Sequence, residues 1–354
     1  MNKKRITWIE LLRIAACIAV IGLHAGSQHF RDIPIDTFTW KVSNFFHGIN
    51  RFAVAGFIMI SGSLYLDRKR NWDIKRLWTK NILSVAAAYF FWQVFYAVYR
   101  ILIQGGPVPE GSEFIKRLLV YVSDPWFHLW YLPMLIGLLI LTPLLWEIVN
   151  SSRGKQWCEY MIVLFLAFQI LTYTAGCFDL PWKQHIQNLI NTVHPELITS
   201  YAGYYVLGHY LYEYGVPKKL EKIVLGVGFI FAGIWLGQQK SIETGKPIQA
   251  FYDNFTVAVF FWSTAVFLFF KNYISRIKWS EKQEKFICNM GACTFGIYLI
   301  HALVRDLLHR NGIDSMMMSN TIIAIPIVIF LIFIISWIAA ALLRKIPFVK
   351  RWLM

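Results

Sequence analysis

Residues 6–25, ITWIELLRIAACIAVIGLHA, constrain the fold more than any other stretch. About 20 apolar residues at ~1.5 Å each cover the hydrocarbon core of a bilayer, so this segment is predicted to span a membrane. Yet it carries Glu10, Arg13 and His24. A charged side chain at that depth costs on the order of 3 kcal/mol, and such groups face a protein interior or a wet cavity. Arg13 and His24 are eleven residues apart, three helical turns plus ~20°, so both leave one face ~16 Å apart along the axis. Glu10, three residues before Arg13, is placed to pair with it. Arg13 snorkelling to the near surface and His24 resting at the interface would account for either residue alone. Three ionisable groups on one stripe point instead to a groove.

The rest of the chain reads as membrane throughout. Apolar residues make up 57% and charged residues 16% of 354, against ~25% charged in a soluble domain. An all-α, polytopic integral-membrane protein with a single embedded domain over residues 1–354 is expected. The first apolar segment has full spanning length and no clear small-residue cleavage site, so it is expected to stay as a permanent span. Five widely spread cysteines, Cys17, Cys158, Cys177, Cys288 and Cys293, form neither a disulfide framework nor a zinc spacing.

About ten spans are expected, near residues 6–25, 43–66, 82–103, 128–145, 161–175, 198–212, 223–236, 256–270, 290–308 and 322–343. A basic loop, DRKRNWDIKRLWTK, follows the second and reads as partly amphipathic and surface-lying. The polar stretch CFDLPWKQHIQNLINTVHPEL reads as a loop. With ten spans, 23 of the 35 Lys and Arg residues fall on the side of the N-terminus, eight on the other and four (Arg13, Arg51, Arg100, Arg305) within spans. The positive-inside rule then places both termini in the cytoplasm. The net charge of +15 is thereby assigned to topology and anionic-lipid contact, and no nucleic-acid partner is expected.

That orientation sorts the buried polar groups by depth. Arg13, Glu10 and the Ser61–Gly62 pair lie toward the cytoplasm, beside a basic rim. His24, His47, Arg51, His128, His301 and Arg305 gather toward the outside. A cationic inner mouth suits a phosphorylated donor. Histidine suits proton transfer from a hydroxyl near neutral pH. Milder readings stand beside these: His128 and Trp130 as interface residues, His209 as a packing or headgroup contact, His47 and Arg51 as interhelical hydrogen-bonding partners, and Ser61–Gly62 as close helix packing. No histidine pair shows metal-ligand spacing with carboxylates on one helix, so no metal is expected.

The arginine, ten intervening residues and histidine in ELLRIAACIAVIGLHA, with FIMISGSLYL, HLWYLPMLIGLLILTPLL, GYYVLGHYL and TFGIYLIH in that order, resemble the membrane-bound acyltransferase family 3 over nearly the whole chain. The resemblance is greatest to the surface-polysaccharide O-acetyltransferases and implies a bacterial inner-membrane enzyme of ten spans. Acetyl-CoA would be a co-substrate, with no resident cofactor. The acceptor would be a hydroxyl of a cell-envelope glycan or lipid-linked sugar. His24 would act on that hydroxyl, with Arg13 and Glu10 completing the catalytic group. Arg13, Ser61, Lys75 and Arg76 would hold the donor; the family's basic motif is matched approximately by Lys75-Arg76-x-x-x-Lys80. Arg51, His128, Trp130 and His301 would line the acceptor side. A carrier for an acyl group, sugar or lipid-linked intermediate is the competing class, although no internal repeat or broken helix stands out.

Overall fold

The computed structural model describes residues 6–70, 72–103, 108–193, 200–224 and 228–354, and among these there are helices and no strands. The helix α1 (Thr7–Gly26) is the central one. It packs against α2 (Phe38–Ile49), α3 (Phe52–Tyr65), α12 (Val257–Asn272), α13 (Glu281–Arg310) and α14 (Thr321–Leu343). Around these lie α4 (Ile74–Ile103), α6 (Tyr131–Asn150) and α7 (Gly154–Gly176). The shorter α5 (Gly111–Ser123), α8 (Lys183–Val193), α9 (Ser200–Glu213), α10 (Lys218–Val224), α11 (Gly228–Thr244) and α15 (Pro347–Trp352) complete the described chain.

Seven described helices are long and apolar enough to cross a membrane: α1, α4, α6, α7, α13, α14 and the 250–276 stretch containing α12. Large apolar side chains such as Phe90, Leu144, Phe330 and Leu342 point outward from them. In water that surface would be unfavourable, whereas against acyl chains it is matched. The chain is thus a multi-pass membrane protein.

Several boundaries depart from the sequence-based ones, for local reasons. The expected span at 43–66 is two helices, because Asn50 Nδ2 donates back to the Phe46 carbonyl (2.7 Å) and draws it away from regular helix. The helix expected from residue 82 begins at Ile74, where the Asp73 side chain accepts the Arg76 N–H (3.3 Å). Half of the expected surface loop is therefore helix. The polar stretch after α7 contains α8, and residues 194–199 beyond that helix lie outside the described residues. The expected span at 223–236 crosses 225–227, which also lie outside them.

Two apolar clusters share α1. Trp8, Ile9 and Leu12 pack with α3, α6, α7, α9 and α12. Ile14, Cys17 and Ile21 pack with α4, α13 and α14. Within the first, α3 and α9 approach until backbone meets backbone: a β-carbon at Gly62 would lie 1.8 Å from the Tyr205 carbonyl oxygen, and one at Gly208 would lie 2.1 Å from that of Met59. Cys17, Cys158 and Cys293 are buried.

Candidate functional site

Between the two clusters lies a cavity of about 350 Å³. From α1 it receives Arg13, Val20 and His24, so it follows the helix for the ~16 Å that eleven residues rise. At the Arg13 end stand Ser61, Tyr65, Ser84, Gly291 and Arg351; at the His24 end stand His128, Trp130 and Tyr298.

Glu10 is placed differently from Arg13 and His24. It is not among the lining residues; its carboxylate accepts from Arg13 Nη1 at 3.1 Å, with the Glu10 side chain 4% and the Arg13 side chain 26% exposed. A β-carbon at Gly291 of α13 would come within 2.3 Å of Glu10 Oε2, so glycine makes the room for this pair. The carboxylate holds Arg13 Nη1, while Arg13 itself lines the cavity. Ser61 lines the cavity while its hydroxyl donates to the Phe57 carbonyl (2.9 Å), and Gly62 beside it does the packing.

At the far end the imidazoles meet. His24 stacks on His301 (5.6 Å between ring centres), which lies 5.0 Å edge-on from His128. Phe127 packs edge-on against His24 at 4.7 Å, with the Arg305 guanidinium 4.5 Å from the centre of the Phe127 ring. Tyr298 donates to the His128 carbonyl. Both ring nitrogens of His128 are buried without a partner among the described residues. His301 is 1% exposed and supports the His24 ring from behind without lining the cavity.

Arg51 is not brought to this cavity. Its Nη2 meets His47 Nε2 at 3.0 Å and donates to Gln249 Oε1 at 3.2 Å, with Asp253 4.0 Å away. Close by, the Tyr252 hydroxyl donates to Asn44 Oδ1 (2.6 Å) while Asn44 Nδ2 donates to the Ile234 carbonyl. Both residues are fully buried. Replacing Tyr252 with phenylalanine leaves an unsatisfied carbonyl there and is expected to cost about 1–3 kcal/mol. A lowered thermal midpoint of the purified variant in detergent checks it.

Lys75 is exposed at the start of α4 and lines no described cavity. Arg76 lines a second, smaller cavity of about 310 Å³ together with Arg70, Trp72, Lys80 and Asn81. Tyr65 stands between the two cavities. Its ring stacks on Trp72 (5.6 Å), Arg70 lies 4.2 Å over it, and Asn81 Nδ2 donates to its hydroxyl at 3.3 Å. Three cations therefore collect one aromatic ring away from the main cavity.

Some lining residues carry no mark in the sequence. Arg351 counts there only as one basic residue of a tail. In the fold Trp92 Nε1 donates to the Leu353 carbonyl (3.1 Å), which turns the segment inward and brings Arg351, Trp352 and Met354 to the Arg13 end. Tyr65, Tyr131 and Trp72 read as ordinary aromatics. Chemically, the arrangement joins a cationic end fit for phosphates to a histidine end fit for moving a proton.

A family profile described as an acyltransferase domain matches residues 6–341. The chain is 23% identical over 373 aligned positions to an amino-acid racemase of Enterococcus faecalis, an alignment covering 99% of this chain and 48% of that protein. It thus spans about half the length of that curated relative. No solved structure gives a significant match.

Proposed function

The chain belongs to the acyltransferase 3 family, and we propose that it transfers an acyl group, acetyl by preference, from acyl-CoA to a hydroxyl of a cell-envelope polysaccharide or lipid-linked sugar at a bacterial inner membrane. The observation that carries this reading is the single cavity joining Arg13 to His24. In the proposed topology α2 with α3, α9, and α10 with α11 add three crossings to the seven, giving ten with both termini in the cytoplasm. The 23-to-8 division of basic residues supports that orientation.

The donor's phosphates would rest on Arg70, Arg76 and Lys80, and its thin arm would pass Tyr65 toward Arg13, Ser61 and Arg351. The acceptor hydroxyl would lie between His24 and His128, against Trp130. His24 takes the hydroxyl proton as the oxygen attacks the thioester carbonyl. The carbon–sulfur bond then breaks, and the leaving thiolate takes that proton. The ester and free CoA are the products.

Purified chain in proteoliposomes tests the proposal. Release of CoA thiol from acetyl-CoA should depend on acceptor, and base-labile acetate should appear on the envelope glycan. Uptake of an unmodified solute without thiol release would replace the enzyme with a carrier. Changing Arg76 and Lys80 together to alanine should raise the donor KM by roughly tenfold or more for each cation removed from a phosphate, ~1.4 kcal/mol each, with kcat nearly kept. An unchanged donor KM would remove the smaller cavity from the donor site.

A further inference from the structure

The loop after α1 and the connection from α13 to α14 meet at a second cluster of ionisable groups, outside the cavity. His29 Nε2 lies 3.1 Å and His309 Nδ1 2.7 Å from the same oxygen of Asp314, Oδ2. The three donor atoms all fall within 4.8 Å of one another. We propose that His29, His309 and Asp314 bind a divalent ion of the zinc class, which clasps the end of α1 to the end of α13.

The ligand set is the first support. Two imidazoles and one carboxylate are a zinc-type donor set, and a fourth position is left for water. Calcium and magnesium favour more oxygen ligands than this cluster offers. Distance is the second. Bonds of ~2.0–2.2 Å set tetrahedral ligand–ligand edges near 3.4 Å, so the 3.1 and 2.7 Å edges need only a small opening to admit an ion.

Orientation of the ligands is the third. Asp314 Oδ1 accepts the Met316 N–H at 2.7 Å, which turns Oδ2 toward both histidines. The Asp32 carboxylate stands 3.9 Å from His29 Nδ1, the ring nitrogen facing away from the cluster. Exposure is graded to suit, with the Asp314 side chain 12%, His29 22% and His309 43% accessible, so an ion can enter from one side.

The placement gives the clasp a purpose. His309 comes eight residues after His301 on α13, ~12 Å along that helix, and His29 lies just past the end of α1, five residues after His24, so the ion would join the two helices beyond their stacked imidazoles. Its binding does not depend on the acyl-transfer reading.

The test uses the full-length chain, stripped with chelator in detergent and titrated with zinc chloride alone. One equivalent should bind and raise the melting temperature. His309→Ala and Asp314→Asn should each weaken binding by more than the roughly 10–100-fold that loss of an outer-shell partner costs. Because either variant can misfold, X-ray absorption on the zinc-loaded natural chain supplies a second readout. Nitrogen and oxygen ligands near 2.0–2.2 Å are expected, with two imidazoles. Sulfur at ~2.3 Å would place the ion on cysteine thiols instead and overturn the proposal. So would occupancy well below one, or binding unchanged in both variants.

Discussion

His24→Ala is expected to lower kcat by roughly 10²–10⁴-fold, the range that a positioned general base supplies, while the donor KM changes little. The split follows from distance along one helix, since Arg13 lies ~16 Å nearer the cationic end. The variant should fold. His24 is half-buried and faces the cavity, so truncation enlarges a space already open and leaves no buried partner unsatisfied. His301→Phe makes the informative companion: it keeps a ring behind His24 but removes the imidazole, and a much smaller loss of kcat is expected. Acceptor-dependent thiol release, read beside the size-exclusion profile of each variant, decides the matter. A His24→Ala chain with native elution and the natural rate would end the proposed chemistry.

Gly62→Ala is expected to be the most disruptive of the conservative changes. Its new methyl would sit 1.8 Å from the Tyr205 carbonyl oxygen, and that oxygen belongs to the backbone of a buried helix. A flexible side chain could swing aside; a helix must be displaced whole. Overpacking usually costs 1–3 kcal/mol, and here a loss of at least about 3 kcal/mol is expected. Gly208→Ala attacks the same contact from the other helix, 2.1 Å from Met59 O, and should behave alike. Gly137→Ala on α6, with nothing within 4 Å of the added carbon, should be tolerated. Yields of monodisperse protein and melting temperatures across the three variants provide the check. Gly62→Ala melting with the natural chain would mean that α3 and α9 are not so tightly joined.

What could be read from the sequence was what one helix carries by itself. The stripe on α1 needs only the rise and turn of an α-helix, and Arg13 and His24 do line one cavity. The pairing of Glu10 with Arg13 followed from their three-residue spacing. Whatever depends on where a second element docks was hidden. Arg51 lies between α2 and α3, where α2 and the 249–253 segment draw it into a separate cluster with His47 and Gln249. Arg351 needed a hydrogen bond from Trp92, more than 250 residues earlier in the chain, to turn it toward Arg13. His29, His309 and Asp314 defeat a search for ligand spacing because the first lies 285 residues from the last. In the sequence the six cations of 68–80 read as a surface loop, whereas the helix starts at Ile74 because Asp73 caps it.

One helix belonging to both apolar clusters has a mechanical result. Carriers that alternate between faces rock one bundle of helices past another about a plane of slip. Here such a plane would run through α1, whose Ile9 is committed to one bundle and whose Ile14 is committed to the other. Shearing the two apart would have to tear a helix lengthwise. Traffic through this protein is therefore expected to be the movement of small arms and hydroxyls along a stationary frame.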